Sequence, residues 1–133
     1  RKHNISMHLE DDLLMANMDA RLIIQVLVNL INNAIKYTPE NSNISLNARR
    51  VEDKILIEVQ DDGNGVLHPE QLFEMFYTEN NRGGDTRRGM GLGLSLCKSI
   101  IQSHGGTIWV ENVTPHGACF KFVLDAVEVK LYE

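Results

Sequence analysis

The sequence predicts an α/β two-layer sandwich, with a sheet on one face and helices on the other. Three observations predict it. A long segment from Asp19 to about Tyr37 repeats apolar residues at helical spacing, Ile23, Val26, Leu27, Leu30, Ile31 and Ala34. Several short runs alternate apolar and polar residues, as half-buried strands do. A second helix-like segment follows a glycine cluster and carries apolar residues at 96, 97, 100 and 101.

Each element has its own local reason. Ile5 to Leu9 alternates as a short strand, and Asp11-Asp12 marks a turn after it. Asp19 is an N-cap for the first long helix, which ends near Thr38-Pro39 because the residue before a proline avoids the helical region. Asn43 to Arg50 and Lys54 to Gln60 read as a hairpin-like strand pair separated by Val51-Glu52-Asp53. Pro69 to Met75 fits a short helix. The segment containing Glu79 to Asp85 is polar and glycine-rich, and is expected to be disordered in the absence of a ligand. A helix from Gly91 to Ser103 comes next, then strands from Thr107 to Glu111 and Ala118 to Leu124. The tail from Asp125 to Glu133 alternates Val127, Val129 and Leu131, as a strand or as a frayed end.

Composition narrows the function. At 133 residues with 43% hydrophobic content the chain is one globular domain, residues 1–133, with a single core. No tract approaches the ~18 apolar residues of a membrane span, and no signal-peptide pattern is present. A net charge of −5 argues against nucleic acid as a partner. Cys97 and Cys119 lack metal or redox spacing and sit in apolar patterns, which points to buried free thiols in a reducing cytoplasm.

Three constellations carry the candidate chemistry. Asn29, Asn33, Lys36 and Tyr37 share one face of the first long helix, either as its solvated side or as the wall of a polar site. Such a wall suits Mg²⁺ and phosphate, since Asn offers a carbonyl oxygen and Lys a point charge. Asp61-Asp62-Gly63-Asn64-Gly65-Val66 follows a strand, where glycines let the backbone turn and approach a ligand. A carboxylate at Asp61 can accept a hydrogen bond from an exocyclic amine such as that of adenine, or be an ordinary polar turn residue. Gly89-Met90-Gly91-Leu92-Gly93-Leu94 opens a helix, whose exposed N–H groups suit phosphate oxygens. This is neither a Walker loop nor the dinucleotide fingerprint, because no Gly-Lys-Ser/Thr follows and Leu94 stands where the third glycine belongs.

In this order the motifs resemble the catalytic, ATP-binding domain of two-component sensor histidine kinases, within the wider gyrase, Hsp90, kinase and MutL ATPase superfamily. Asn29-Leu30-x-x-Asn33-Ala34-x-Lys36-Tyr37-Thr38 is similar to the N box, Asp61-x-Gly63-x-Gly65 to the first glycine box, Phe73-Glu74-x-Phe76 to the F box and Gly89-x-Gly91-Leu92-Gly93-Leu94 to the second glycine box. His104-Gly105-Gly106 and Gly117-Ala118-Cys119-Phe120 also fit, so the likeness covers nearly the whole chain. The resemblance implies a Bergerat-type fold, a mixed sheet packed on about three helices.

It also implies roles. Asn33 supplies an oxygen to Mg²⁺ with Asn29 supporting, Lys36 faces a phosphate, and Tyr37 packs beside adenine and sugar. Asp61 accepts the adenine amino hydrogen, Gly63 and Gly65 let the base approach, and Val66 and Phe76 complete the nucleotide contacts. Tyr77 to Arg88 form a lid whose Arg82, Arg87 and Arg88 are candidates for the γ-phosphate. Gly89, Gly91, Leu92, Gly93 and Leu94 surround the β- and γ-phosphates. Phe73 and Phe76 either anchor the lid and meet the acceptor helix or are plain core.

Hydrolysing relatives carry Glu at the position of Asn29, and an amide cannot take the proton of an attacking water. The expected reaction is therefore in-line transfer from Mg-ATP to a histidine on a separate dimerisation helix, by a protein-histidine kinase in two-component signalling. None of His3, His8, His68, His104 or His116 has the acceptor's context. His104 reads as a helix C-cap, His68 as a loop residue and the other three as surface residues. The chain is expected to be a catalytic fragment that does not autophosphorylate alone, monomeric by itself, with a homodimeric parent anchored in the membrane. A response regulator is its indirect partner. The wording Leu94-x-Leu96-Cys97-Lys98-x-Ile100 is similar to the Kdp potassium-responsive type, which implies potassium or osmotic sensing. The alternatives are a nucleotide-binding or docking module without phosphotransfer.

Overall fold

The computed structural model describes residues 3–9, 16, 18–75 and 93–127. Its elements are β1 (Asn4–Leu9), α1 (Ala20–Tyr37), β2 (Asn43–Val51), β3 (Lys54–Asp61), a single 3₁₀ turn (Pro69–Gln71), α2 (Gly93–Ser103), β4 (Thr107–Asn112) and β5 (Ala118–Asp125). The five strands form one sheet in the order β1-β2-β3-β5-β4. Only the β1–β2 pair is parallel; β2–β3, β3–β5 and β4–β5 are antiparallel. A parallel pair needs a crossover rather than a hairpin, and α1 lies in that crossover. The sheet is thus mixed, as expected.

Helix α1 starts where Asp19 caps it, its side chain accepting the Arg21 N–H at 3.0 Å. It stops at Thr38, whose extended backbone precedes Pro39. Ile23, Val26, Leu30 and Ala34 line its buried stripe and meet Ile44, Val59, Phe120, Phe122 and Leu124 of the sheet. In β3, Ile55, Ile57, Val59 and Asp61 alternate toward this core, while Glu58 and Gln60 lie on the other face.

Helix α2 ends in two reversed bonds, from Gly106 N–H to the Ile101 carbonyl and from Gly105 N–H to the Gln102 carbonyl, each 2.9 Å. That pattern requires the left-handed φ of 74° found at Gly105. His104 is the cap residue, as its sequence position suggests. Its Nδ1 donates to the Ile100 carbonyl at 2.8 Å and its Nε2 accepts the Asp19 N–H at 3.0 Å, tying the end of α2 to the start of α1.

Several expectations are adjusted. Of the three helices expected, two are α-helices among the described residues. The Pro69–Met75 segment contains only one 3₁₀ turn, with turns through residue 75. Strands β2, β3, β4 and β5 each run one residue further than expected. Asp125 belongs to β5 and Ala126 bridges to Ala16. The Asp11-Asp12 turn and the tail beyond residue 127 lie outside the described residues. Phe73 is core, buried and edge-to-face on Phe120 with centroids 6.0 Å apart. No helix among the described residues is long and apolar enough to cross a membrane.

Cys97 and Cys119 are both free and buried. Burial pushes the Cys97 thiol up to about 11, and burial together with the Glu58 carboxylate pushes Cys119 up to about 12. An unfolded chain releases both protons near the ordinary 9.0, so the folded state binds more protons than the unfolded one above that value. The thiols' contribution to stability is full below about pH 9 and is lost as pH rises through the folded-state values. Urea unfolding between about pH 8 and about pH 11 should show the native protein losing stability more steeply than a Cys97→Ala/Cys119→Ala variant; parallel curves would contradict this.

Candidate functional site

Helix α1 buries one stripe and turns another toward the start of α2. On that second stripe Asn29, Asn33, Lys36 and Tyr37 are all half-buried. The Asn face is therefore not a fully solvated side. The Asn29 side chain lies beside the Cys97 thiol of α2 at the helix–helix seam, where it offsets part of the rise that burial causes, and that thiol lies 3.9 Å from the Val26 carbonyl. Asn33 Nδ2 is buried with no hydrogen-bond partner among the described residues. An amide left so costs about 1–3 kcal/mol, a penalty that a polar ligand on this wall would remove. The Lys36 ammonium lies 4.9 Å from the Tyr37 ring centroid, a cation–π contact at the end of the helix.

The end of β3 supplies the second part. Asp61 is 2% exposed. Its Oδ1 accepts the Gly63 N–H at 3.0 Å and the Ala118 N–H at 3.2 Å, so the chain's own backbone holds the carboxyl group in place. Asp62 is anchored differently. Its two oxygens accept the backbone and side-chain N–H groups of Asn43, each at 2.8 Å. Burial alone would raise Asp62, but these bonds and the nearby His116 outweigh it and hold its carboxyl below the usual range.

The glycines meet the end of α1 and the β4–β5 connection. A Cβ at Gly63 would stand 2.7 Å from Thr38 Cγ2. Thr38 is buried where α1 ends, its hydroxyl donating to the Ala34 carbonyl at 2.6 Å. His3 Nε2 reaches the same hydroxyl at 3.0 Å and, since that oxygen is already donating, must be the donor. Gly65 has φ 82°, which a side chain rarely adopts, and a Cβ there would lie 2.6 Å from Asn112 Oδ1. Val66 follows, buried in the core.

Gly93 is the first residue of α2 and is exposed, with nothing within 4 Å of where a Cβ would be. Leu94 packs half-buried against the core. The structure thus brings the α1 wall and the Asp61 loop together through Gly63 and Thr38, and sets the α2 end beside α1 through Asn29 and Cys97. Phe76, Arg82, Arg87, Arg88, Gly89, Gly91 and Leu92 lie outside the described residues, as does the rest of the expected lid.

One surface reading is corrected: His3 is half-buried and bonded to Thr38. His116 is exposed, as expected, and its Nδ1 donates to the Asp62 carbonyl at 2.8 Å. His8 is exposed, and His68 is a loop residue 3.7 Å from Glu70. The sequence reading missed Asn43, Asn112 and His116 as supports of the loop. Each acts through strand pairing or a distant turn, and no local pattern marks it. A separate open cavity of about 270 Å³, lined by Glu58, Gln60, Glu111, Cys119 and Lys121 among others, lies on the opposite face of the sheet and holds none of the candidate residues.

Comparison with known proteins agrees with this geometry. Residues 18–128 match the family described as histidine kinase-, DNA gyrase B- and HSP90-like ATPase. The sensor protein KdpD of Clostridium acetobutylicum is 38% identical over 124 residues, 92% of this chain but only 14% of that relative. Among solved structures, the catalytic domain of the histidine kinase ThkA superposes with a TM-score of 0.80 at 32% identity, over 92% of this chain and 80% of that one. The same kinase in complex with the response regulator TrrA gives 0.77 at 31% identity, over 94% of this chain and 34% of that one. Full-length ShkA in complex with AMPPNP gives 0.81 at 25% identity, over 97% and 27%.

The Gly63–Thr38 contact is testable by a double-mutant cycle. Gly63→Ala should cost about 1–3 kcal/mol in urea unfolding by overpacking. In a Thr38→Ser background, which removes Cγ2 and keeps the hydroxyl, the cost should fall by about 1 kcal/mol. An unchanged cost would mean that the methyl is not what the glycine avoids.

Proposed function

The chain belongs to the histidine kinase-, DNA gyrase B- and HSP90-like ATPase family, and we propose that it binds Mg-ATP and donates the γ-phosphoryl group to a histidine on another part of its parent kinase. The observation that carries this reading is the joining of the α1 stripe to the Asp61 loop, with a buried N–H donor, Asn33 Nδ2, that has no partner among the described residues and would suit a phosphate oxygen. Residues 1–133 form the catalytic, ATP-binding unit, and the histidine-bearing dimerisation helix is contributed from outside them.

Asp61, held by the Gly63 and Ala118 N–H groups, is the carboxylate this reading sets against the adenine amine. Gly63 and Gly65 keep side chains away from the base. Tyr37 offers a ring beside the sugar and Lys36 a cation for a phosphate. The Asn33 and Asn29 amides are oxygen donors of the type Mg²⁺ takes. Among the described residues no cluster of three His, Cys, Asp or Glu could hold a metal by itself, so the triphosphate would complete the set. When bound, the ion neutralises developing charge on the transferred group. The N-terminal N–H groups of α2 face the phosphates at the positive end of the helix.

Asn29 decides between transfer and hydrolysis. An amide is no general base, so water is not activated; a neutral imidazole is a nucleophile without prior deprotonation. Lid residues Arg82, Arg87 and Arg88, with Phe76, Gly89, Gly91 and Leu92, complete the site in this reading. The parent is a membrane-anchored homodimer of the Kdp type responding to potassium or osmotic stress, passes phosphate on to a response regulator, and keeps this domain in the cytoplasm. Similarity to KdpD supports the Kdp assignment, and the complex of ThkA with TrrA supports the response regulator.

The test is γ-labelled ATP added to the chain joined to its parent's dimerisation helix. The label should appear on histidine, as acid-labile and alkali-stable phosphate, and Asn33→Ala should reduce transfer at least about 100-fold, the order expected when charge stabilisation of a transferring group is removed. Label released mainly as inorganic phosphate would replace this reading with a water-attacking ATPase.

A further inference from the structure

We infer that Asn112 is a positioning residue for nucleotide binding, clamping the exit of the Asp61–Val66 loop from β4, the strand beyond β5. The inference rests on the nucleotide-binding reading above and adds to it a residue that lies outside every sequence motif of the site. Asn112 is the last residue of β4. Its side-chain Nδ2 donates to the Val66 carbonyl at 2.9 Å, and its Oδ1 accepts the Val66 N–H at 2.7 Å. One amide therefore satisfies both backbone groups of a single residue 46 positions away, as a strand partner would, at a place where the sheet has ended.

The clamp belongs to a larger buttress. The connection from β4 to β5 supplies His116, whose Nδ1 donates to the Asp62 carbonyl at 2.8 Å and lies 3.3 Å from that of Gly63. The next strand begins with Ala118, whose N–H binds Asp61 Oδ1. A Cβ at Gly117 would come within 2.2 Å of the Asp61 carbonyl, so the connection lies directly on the loop. His116 and Ala118 thus hold the loop's entry, and Asn112 holds its exit.

The exit matters because Gly65, one residue before the clamp, has the left-handed φ of 82° that turns the chain past the base-binding carboxyl. The same Asn112 oxygen that bonds Val66 lies 2.6 Å from the Cβ a side chain would place at Gly65. Asn112 therefore selects glycine at 65 and fixes Val66 after it. With the amide removed, both Val66 backbone groups lose their partner and the loop can relax away from Asp61.

The experiment is calorimetric titration of Mg-ATP, with Mg-GTP as competitor, into the native chain and the variants Asn112→Ala, Asn112→Ser and Asn112→Asp, with urea unfolding to confirm folding. The expected result is an ATP dissociation constant raised about tenfold in Asn112→Ala, with less ATP-over-GTP preference and partial recovery in Asn112→Ser. Asn112→Asp keeps the acceptor for the Val66 N–H but sets an oxygen against the Val66 carbonyl. Its affinity should be low near neutral pH and approach that of the native chain on acidification, as the carboxyl becomes a donor. A residue needed only for stability would shift unfolding and leave affinity, base preference and the native-to-variant pH ratio unchanged, which would overturn the inference. Failure of the native chain to bind ATP would overturn the functional reading and this inference with it. Native binding with unaltered variants would overturn the inference alone. Should Asn112→Ala not fold, the Asp and Ser variants decide.

Discussion

A carboxyl group buried at the end of a central strand is the constraint around which this structure is arranged. Asp61 is 2% exposed, and a group so placed must have hydrogen bonds. Two of them come from the N–H groups of Gly63 and Ala118, one on its own loop and one on the adjacent strand. The loop must then fold back tightly enough for Gly63 to reach the side chain. That brings Gly63 against Thr38 at the end of α1, leaving no room for a Cβ. Helix α1, the loop and β5 are thereby locked to one another through a single residue.

From that lock the rest of the site follows by geometry. Thr38 continues the buried stripe of Leu30 and Ala34, so the lock at Gly63 fixes the end of the helix whose second stripe carries Asn29, Asn33, Lys36 and Tyr37. Helix α2 is held against α1 at two points. Asn29 meets Cys97 near its start, and His104 meets the Asp19 N–H at its end. The polar groups are thus placed by buried contacts and not by surface ion pairs, which contribute little in water. One group of such ion pairs lies on the opposite face of the sheet, where Glu58 stands 3.7 Å from Arg49 and 3.6 Å from Lys121.

Most of the fold was legible because it depends on periodicity. The α1 stripe, the alternation of β3 and β5, the Asp19 cap, the Pro39 stop and the His104-Gly105-Gly106 terminus each have local causes, and each is found within a residue or two of its expected place. The Pro69–Met75 segment was less legible. Pro69 suits the start of a helix, but the turn that follows serves to bury Leu72 and Phe73, and tertiary packing limited it to one 3₁₀ turn. In the site, residues within motifs could be read from spacing, since a helix face and a glycine turn are local facts. Asn43, Asn112 and His116 could not, because their partners lie between 19 and 54 positions away and meet them only through strand pairing. His3 was missed for the same reason, as its partner Thr38 becomes its neighbour only when β1 pairs with β2.

The central claim is that Asp61 reads adenine while the α1 wall holds the triphosphate. Calorimetric titration of ATP and GTP, each with and without Mg²⁺, into the native chain and Asp61→Asn tests it most directly. The account predicts Mg²⁺-dependent ATP binding, weak GTP binding and a loss of roughly 1.5–3 kcal/mol in the variant, the worth of a hydrogen bond to a charged group. Equal binding of ATP and GTP, or an Asp61→Asn variant that binds ATP as the native chain does, would contradict it.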